Sequence, residues 1–288
     1  MARTVEEAFL VFLNWLTPRP GARMSVSLLR NQVFDRLSEK FDVAKMLEVG
    51  SLAQGTDIQK FSGGDYLLQL RGRRPLTPDS LLRRVEQSLG ALYPEAEVTQ
   101  SRPSVIVDLS DDRRIGVIPA FVVGSVGGGT RVSLAAASGG WTATDPIAYR
   151  DWFQRCNSVA GVRGAAQGLA RLARAWKYYG DVPISSFYLE LQAARFMAAR
   201  TSVIYAYDVR DFFYSLHEQE LAAVEDPTMV RQLVQPCATP RDLERSLQET
   251  AFAASRTERA LARQRQGDIS DSFEQWSQVF SGQFPAHY

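Results

Sequence analysis

The chain has 288 residues, of which 45% are hydrophobic and 23% are charged, values that are typical of a soluble globular protein. Its 33 lysines and arginines stand against 32 aspartates and glutamates, which leaves a formal net charge of +1. Because the positive and negative charges are nearly equal in number, no global electrostatic field draws the chain to long nucleic acid or to a membrane surface. Any anion-binding site must therefore be local.

The cysteines and the N-terminus indicate in which cellular compartment the chain is expected. Its two cysteines, Cys156 and Cys237, lie far apart in sequence, so they provide neither a disulfide framework nor a zinc site, which needs four suitably spaced donors. Glu6 and Glu7 precede only a short apolar run, unlike a signal peptide, and no stretch approaches the roughly 20 apolar residues of a membrane span. We therefore expect a cytoplasmic chain without a membrane segment.

In chain order, the first half mixes helical and extended patterns. Pro18 and Pro20 are expected to end the first predicted helix, which covers residues 3–16. Apolar residues at helical spacing predict helices over 3–16, 25–40 and 79–91. Extended patterns predict strands over 65–71, 104–109 and 114–121, with a further run from Thr130 after the glycines at 127–129.

From Trp141 onward the pattern becomes helical. Residues 145–264 are rich in alanine, leucine, arginine and glutamine, and a last helix is predicted over 269–280. We therefore predict an α+β protein of two lobes. A mixed-sheet lobe over residues 1–140 includes the N-terminal helices, and an all-helical lobe covers residues 141–288.

The stretch from residue 48 to residue 70 raises the main question about chemistry. A strand that binds metal through carboxylates carries acidic residues at alternate positions, because positions i and i+2 share a face. Asp65 is acidic, but its same-face neighbour Gly63 has no side chain. The stretch therefore has the frame of a metal-binding strand with only part of the expected ligand set.

A series of landmarks resembles a known family. Gly50-Ser51, Gly55-Thr56, Ser62 and Asp65 resemble the nucleotidyltransferase core of the polymerase β type. More closely, they resemble the cGAS/DncV-like nucleotidyltransferases, the bacterial cyclic-oligonucleotide synthases of antiphage defence. The resemblance continues in RIGVIPAF (114–121), WTATDP (141–146), ARAWKYYGDVPISSFYLE (173–190), Asp226-Pro227 and the closing Trp276, Phe280 and Phe284-Pro285.

The resemblance implies a degenerate metal site. The family joins a 3′-hydroxyl to an α-phosphate with two Mg²⁺ ions, which three carboxylates hold. Residue by residue, the resemblance puts those three ligands at Gly63, Asp65 and Gly116, and a glycine has no ligand atom. Asp65 would then hold a single Mg²⁺ ion if it holds any.

Asp108 leaves two readings open. If residues 104–118 form a hairpin about the charged turn at 110–113, Asp108 could lie opposite Gly116 and replace a missing ligand. Alternatively it is a solvent-facing aspartate at the end of a strand. A slip of one residue in the register would turn its side chain to the other face.

The resemblance also implies a set of phosphate-binding residues. Gly50 and Ser51 would cradle a triphosphate at a turn, and Lys177 would reach it together with Ser185 or Ser186. Without the resemblance, the pattern of these residues indicates only an ordinary turn and a solvated lysine.

A basic cluster of Arg71, Arg73 and Arg74 lies beside the predicted cleft. It is either simply solvated or contacts an anion or a nucleic acid.

Three functions follow as hypotheses. The first is a catalytically degenerate synthase that keeps a nucleotide-binding cleft and acts as a sensor or regulatory partner, with a nucleoside triphosphate or oligonucleotide as ligand and a partner protein from the same defence operon. The second is an active Mg-dependent enzyme that makes a cyclic or linear oligonucleotide messenger with a rearranged site, Asp65 plus Asp108. The third is a scaffold that binds no nucleotide. Restoring Gly63→Asp and Gly116→Asp together is expected to return some activity if the cleft is intact.

Overall fold

The structure is a computed structural model of the chain, and it describes residues 1–59, 63–109, 113–126, 129–136, 139–230 and 233–288. Ser62 of the motif, the turn residues 110–112 and the glycines at 127 and 128 lie outside the described residues.

The secondary structure mixes helices and strands in the first half and is mainly helical afterwards. The helices are α1 (Val5–Leu16), α2 (Pro20–Ser38), α3 (Gly50–Gln54), α4 (Asp79–Leu92), α5 (Pro146–Asn157), α6 (Ala165–Tyr179), α7 (Ser186–Ala198), α8 (Tyr205–Glu218), α9 (Pro240–Arg265) and α10 (Ile269–Val279). The strands are β1 (Val43–Val49), β2 (Gly64–Leu70), β3 (Glu97–Ser101), β4 (Ser104–Asp108), β5 (Arg114–Val126), β6 (Gly129–Ala135), β7 (Trp141–Thr144), β8 (Val224–Glu225) and β9 (Leu233–Val234). The predicted α+β class is confirmed.

Two compact units divide the chain. The sheet unit consists of Pro18–Trp152 with Asp226–Gln232, and the helical unit consists of Met1–Thr17, Phe153–Glu225 and Leu233–Tyr288. These units are defined by contacts between residues, whereas the predicted lobes, 1–140 and 141–288, are defined by sequence patterns. Helix α1 belongs to the helical unit because its apolar face packs among the C-terminal helices.

The main sheet is mixed, and β5 is its central strand. The strand order is β1-β2-β5-β4-β3, with β6 added beside β5 and β7 beside β6. Strand β2 pairs with β5 in parallel, and the other neighbouring pairs are antiparallel. Because β5 has 13 residues, its first half pairs with β2 and β4 and its second half pairs with β6.

Alternation along the strands separates the core from the candidate site. One face of the sheet packs against α2 and α4, and its buried residues include Leu68, Val105, Ile115 and Val117. Side chains at neighbouring positions point to the other face. That other face carries Asp65 on β2 and Gly116 on β5, so the candidate ligands project away from the main core of this unit.

The helical unit has a core of interlocking aromatic rings. Phe9 of α1 lies 4.8 Å from Trp276 of α10 and 5.0 Å from Phe284, measured between ring centroids, and Phe12 lies 4.9 Å from Phe280. The pairs are close to edge-to-face, the arrangement that the ring quadrupoles favour. These contacts explain why the N-terminal helix belongs with the C-terminal helices.

Several local predictions need correction. Pro20 does not end the first helix; it is the first residue of α2, where its missing N–H costs nothing. Strands β1, β3 and β7 and the short β8–β9 hairpin were not predicted from the pattern. Within the described part of the chain, no helix is both long enough and apolar enough to span a bilayer.

Candidate functional site

Three residues of the predicted motif meet at one end of β2. Asp65 is the second residue of that strand, and it pairs with Val49 at the end of β1 and with Gly116 on β5. Gly50 directly follows Val49 and begins α3. The strand pairing therefore brings Gly50, Asp65 and Gly116 together, as the resemblance implies.

The carboxylate of Asp65 occupies the space between the two glycines. A Cβ built on Gly116 would lie inside contact distance of Asp65 Oδ1, and one built on Gly50 would lie 3.1 Å from Asp65 Oδ2. Gly50 also has φ +64°, a left-handed conformation that favours glycine. Gly116 is therefore not an empty ligand position, because the side chain of Asp65 fills it.

The second degenerate position is covered as well. A Cβ built on Gly63 would lie 3.0 Å from the carbonyl oxygen of Arg114 and 3.1 Å from both Cβ and Cγ of that residue. The backbone and the stem of Arg114 thus crowd the position from which an acidic ligand would extend. A cationic side chain at this place disfavours a bound metal ion by charge as well as by space.

Asp108 lies on the same face of the sheet but not where it was expected. Strands β4 and β5 are antiparallel neighbours, as the hairpin prediction requires, yet Gly116 faces Ile106, and Asp108 faces Arg114. Of the two alternatives, opposition to Gly116 does not hold, because the register differs by two residues. Asp108 is instead a partly exposed aspartate at the end of β4. Its Oδ1 lies 3.4 Å from Arg114 Nε, and both side chains are almost half exposed. The carboxylate of Asp108 is thus engaged by an arginine.

The residues at this end of the sheet do not fit a pair of Mg²⁺ ions. Mg²⁺ takes oxygen ligands in near-ideal octahedral geometry, and a two-ion site needs several carboxylates to hold both ions in register. Here Asp65 stands between two glycines, and Arg114 pairs with Asp108 beside it. Among the described residues, no group of three or more Asp, Glu, His or Cys side chains is arranged to hold a metal ion. A single ion at Asp65 stays a prediction.

The turn that carries Gly50 and Ser51 is well defined. Val49 is extended, Gly50 is left-handed, and a five-residue helix then ends at Gly55, which has φ +70°. Ser51 is only 7% exposed, and its carbonyl oxygen accepts a hydrogen bond of 2.9 Å from the N–H of Thr56. The expected glycine-serine turn is present, and its contact with phosphate stays a prediction.

In the helical unit, Lys177 is held by a hydroxyl and an aromatic ring. Its Nζ donates a hydrogen bond of 3.1 Å to Ser186 Oγ and lies 4.9 Å from the centroid of the Tyr178 ring. The Tyr178 hydroxyl is 3.3 Å from the same Ser186 oxygen. Among the described residues, no carboxylate forms an ion pair with Lys177. An ammonium group in this setting still has donors to offer to an anion.

Burial shapes the proton affinity of this lysine. Desolvation lowers the pKa of Lys177, the nearby Tyr178 opposes that effect, and the Arg174 guanidinium lowers the pKa further. A bound anion would compensate both the burial and the repulsion between the cations. The cluster of Arg174, Lys177, Tyr178 and Ser186 is therefore suited electrostatically to a phosphate group.

The two adjacent serines have different partners. Ser185 is the N-cap of α7, where its Oγ accepts a hydrogen bond of 3.3 Å from the N–H of Tyr188. Ser186 is the first residue of that helix and contacts Lys177. Sequence reasoning grouped the two serines and missed Arg174 and Tyr178. The spacing carried a signal for these two, because residues three and four apart share a helix face and Tyr178 is four positions after Arg174.

The candidate residues belong to two units. Gly50, Asp65 and Gly116 are in the sheet unit, and Lys177 and Ser186 are in the helical unit. A cleft that brings them to one nucleotide stays a prediction.

The arginine cluster lies away from Asp65. Arg71 follows the last residue of β2, whereas Asp65 lies near its start, so about six residues or roughly 20 Å of extended chain separate them. Arg71 pairs with Asp42 at 3.0 Å, and Arg74 donates to Ser133 Oγ at 2.7 Å. Within the sheet unit, the cluster therefore lies at the opposite end of β2 from Asp65, and its place beside a cleft stays a prediction.

A sequence comparison identifies a family. Residues 3–157, more than half of the chain, match the family described as the Second Messenger Oligonucleotide or Dinucleotide Synthetase domain, SMODS. No curated protein matches the chain in a direct comparison of sequences.

Solved structures share the fold over nearly the full length. E. coli MS115-1 CdnC with ATP superimposes with a TM-score of 0.77 at 19% identity, covering 98% of this chain and 99% of that chain. The CdnC:HORMA-deltaN complex gives a TM-score of 0.75 at 18% identity, covering 98% of each chain. Bradyrhizobium diazoefficiens CdnG, a CD-NTase in complex with GTP, gives 0.69 at 15% identity, covering 94% of this chain and 99% of that chain.

Proposed function

The chain belongs to the SMODS family, the second messenger oligonucleotide or dinucleotide synthetases, and from that membership we propose that it binds nucleotides with a catalytic centre that has lost its two-metal chemistry. The protein would bind a nucleoside triphosphate or an oligonucleotide and act as a sensor or as the regulator of a partner protein.

One observation carries the loss of catalysis. At the three positions where the resemblance places the metal ligands, this chain has one carboxylate, Asp65. A side chain at Gly63 would be crowded by Arg114, and one at Gly116 would meet the carboxylate of Asp65. Each tenfold loss of rate corresponds to about 1.4 kcal/mol of transition-state stabilisation. An ion that stabilises developing charge supplies several such factors, so a site without ligands for it is expected to be very slow.

Nucleotide binding is supported by the helical unit. Lys177 is partly buried, hydrogen-bonded to Ser186 and without a carboxylate partner among the described residues, which suits it to an anionic ligand. The similar structures were solved with ATP for CdnC and with GTP for CdnG. We therefore assign a purine nucleoside triphosphate, or an oligonucleotide carrying one, as the ligand to test first.

A regulatory role in antiphage defence follows from the family and from the lost ligands. A synthase fold that binds its nucleotide without consuming it can report nucleotide or messenger concentration through a partner. CdnC was solved in complex with a HORMA protein. For this chain, we expect the partner to be a protein encoded beside it in a defence operon.

The second candidate is an active enzyme with a rearranged site. Asp108 favours it, because this carboxylate shares a sheet face with Asp65 and Gly116. It would have to leave Arg114 before it could take part in metal binding. The product would be a cyclic or linear oligonucleotide messenger.

Two measurements separate the candidates. In the first, labelled ribonucleotides and deoxyribonucleotides are incubated with the protein and Mg²⁺ or Mn²⁺. We expect no product above that of Asp65→Ala, whereas product that disappears in this variant would establish the active enzyme. In the second, calorimetry with ATP and GTP should detect binding to the wild type and weaker binding to Lys177→Gln. No heat with any nucleotide would leave only a scaffold.

A further inference from the structure

Two arginines of the basic cluster, Arg71 and Arg73, line a pocket at the far end of β2. It has a volume of about 260 Å³ and lies where the connections from α2 to β1 and from β2 to α4 meet helix α4. Four cations line it, Lys40, Arg71, Arg73 and Arg84, and the apolar side chains of Leu81 and Phe121 contribute to its wall. We call it the β2-end pocket.

The β2-end pocket carries an uncompensated positive charge. Its acidic residue, Asp42, pairs with Arg71 at 3.0 Å. Within the described ranges, Lys40, Arg73 and Arg84 form no ion pair with a carboxylate. Three charges of one sign around one concavity stand out in a chain whose formal net charge is only +1. Such a local excess concentrates anions.

The wall of the pocket combines a restrained cation with buried apolar side chains. The guanidinium of Arg84 lies 4.9 Å from the centroid of the Phe41 ring, which restricts its orientation. Phe121 and Leu81 are buried beneath the charged rim. A volume of this size is slightly below the roughly 300–1,000 Å³ of sites for drug-sized molecules, so the ligand must be smaller than those.

The arginines point to phosphate as the recognised group. A guanidinium donates two parallel hydrogen bonds to a phosphate, and it stays charged at every physiological pH. Arg73, Arg84 and Lys40 line the same pocket, so a ligand with two linked phosphates offers an acceptor group to more than one of these cations. The structure therefore assigns the β2-end pocket to a small molecule that carries a diphosphate or longer polyphosphate group, and we infer that this site is separate from the predicted nucleotide site at Asp65.

The length of β2 separates the β2-end pocket from Asp65. Asp65 is near the start of β2, and Leu70, which lines the pocket, is its last residue. Five steps of extended chain span about 17 Å. One mononucleotide at Asp65 would not fill this pocket as well, and the inference does not depend on what the Asp65 site does.

The experiment uses the full-length protein and inorganic pyrophosphate as the probe. Calorimetry compares the wild type with Arg73→Gln/Arg84→Gln, and with the charge-matched control Arg83→Gln/Lys45→Gln, whose exposed residues do not line the pocket. Thermal unfolding verifies that all three proteins are folded. Lys177→Gln is included to remove the predicted triphosphate contact in the helical unit.

We expect pyrophosphate to bind the wild type and the control alike, and the binding event at the pocket to persist in Lys177→Gln, where any phosphate contact in the helical unit is removed. In Arg73→Gln/Arg84→Gln that event should be at least tenfold weaker. Citrate, a tricarboxylate of similar charge, should bind more weakly than pyrophosphate. The inference is overturned if no protein binds pyrophosphate, if the control loses as much affinity as the pocket variant, or if only Lys177→Gln loses it. It is also overturned if the pocket variant binds pyrophosphate normally and loses only affinity for duplex DNA, since the arginines would then form a nucleic-acid surface.

Discussion

The Oδ1 atom of Asp65 lies in the space that a Cβ on Gly116 would take. The two residues are paired across the parallel strands β2 and β5, so the side chain of one lies beside the Cα of the other. In a site with three carboxylates, each of these positions carries a ligand. Here the carboxylate of Asp65 also takes the space beside Gly116, so its packing depends on the absence of a side chain at position 116.

The first prediction restores the missing ligands. In Gly63→Asp/Gly116→Asp, the Asp65 carboxylate must rotate away from its present place, and Arg114 must yield by a few tenths of an ångström. Three adjacent carboxylates repel one another without a cation. We therefore expect the variant to melt below the wild type in EDTA and to gain several degrees with Mg²⁺, since a ligand at 100 times its Kd contributes about 2.7 kcal/mol.

Thermal unfolding with and without Mg²⁺ measures this directly. The matched control is Gly90→Asp, a glycine on α4 with open space around it, which adds a carboxylate away from the site. If Mg²⁺ shifts the variant no more than it shifts this control, the ligand positions cannot be rebuilt. Recovery of nucleotidyl transfer is the second readout.

The sequence was sufficient for elements whose burial follows a clear period. Leu82, Val85 and Leu89 are spaced for one buried helix face, and α4 appears at the predicted place. Strand β1 was missed because only Met46 is buried along it, so the alternation that marks a strand is absent. Strand β3 has no buried residue at all. Such strands are specified by their hydrogen-bonded neighbours, which lie far away in sequence.

The residues of the candidate site could be predicted from the sequence, but the side chains that surround them could not. The positions of Gly63, Asp65 and Gly116 could be assigned by resemblance, and the pairing of Asp65 with Gly116 agrees with it. The cover over Gly63 comes from Arg114, 51 positions later, and depends on the register between two strands. The two alternatives for Asp108 could not be separated from the sequence for the same reason, because a shift of two residues preserves the face and changes the partner.

The second prediction concerns the pair of Asp108 and Arg114. Both side chains are partly exposed, so breaking their contact in Asp108→Asn should change the free energy of unfolding by less than about 1 kcal/mol. If the protein is a nucleotide binder, ATP affinity should also stay within about twofold, a change of less than 1 kcal/mol. Denaturant unfolding and calorimetry check these values. Loss of a nucleotidyl-transfer product in Asp108→Asn would instead support the rearranged active site.

The third prediction is a pH dependence that Lys177 produces. Burial lowers its pKa in the free protein, and a bound phosphate favours the charged form and raises the pKa again. Between these two values, binding takes up a proton, so ATP affinity should fall as pH rises above the free pKa, by up to tenfold per pH unit. Calorimetry between neutral and alkaline pH, in buffers of different ionisation enthalpy, measures both the affinity and the proton uptake.

Lys177→Arg is the control for that titration. Its guanidinium stays protonated across the range, so the alkaline loss of affinity should disappear. The same lowered pKa has an effect on stability. Because the unfolded chain binds more protons than the folded chain between the lowered pKa and the ordinary lysine value, the wild type should gain stability relative to Lys177→Arg as pH rises through that window. An identical pH profile for the two proteins would remove Lys177 from the site.

The fourth prediction separates the two serines. Ser185→Ala removes the N-cap of α7 and should lower the free energy of unfolding by about 1 kcal/mol. Ser186→Ala removes the hydroxyl that Lys177 contacts, so it should weaken ATP binding more than it affects unfolding. Calorimetry and urea unfolding on both variants test the contrast. Equal effects on both quantities would show that the serines act together.

The last prediction tests the helix packing that positions Lys177. Gly168 lies on α6, nine residues before Lys177, and a Cβ there would collide with the phenol of Tyr205 at the start of α8, approaching Cζ to 2.8 Å. Alanine gains about 1 kcal/mol in helix propensity over glycine, but overpacking costs typically 1–3 kcal/mol. The ring of Tyr205 is partly buried and stacks on Phe9 with 6.5 Å between the ring centroids. Because moving the phenol would disturb that packing, we expect the packing cost to win and Gly168→Ala to lose stability in urea unfolding. Gly90→Ala on α4, where nothing lies within 4 Å, has the same propensity gain without a collision and should be stabilised. Stabilisation of both variants would mean that α6 and α8 can separate at little cost, and Lys177 would then lack a rigid support.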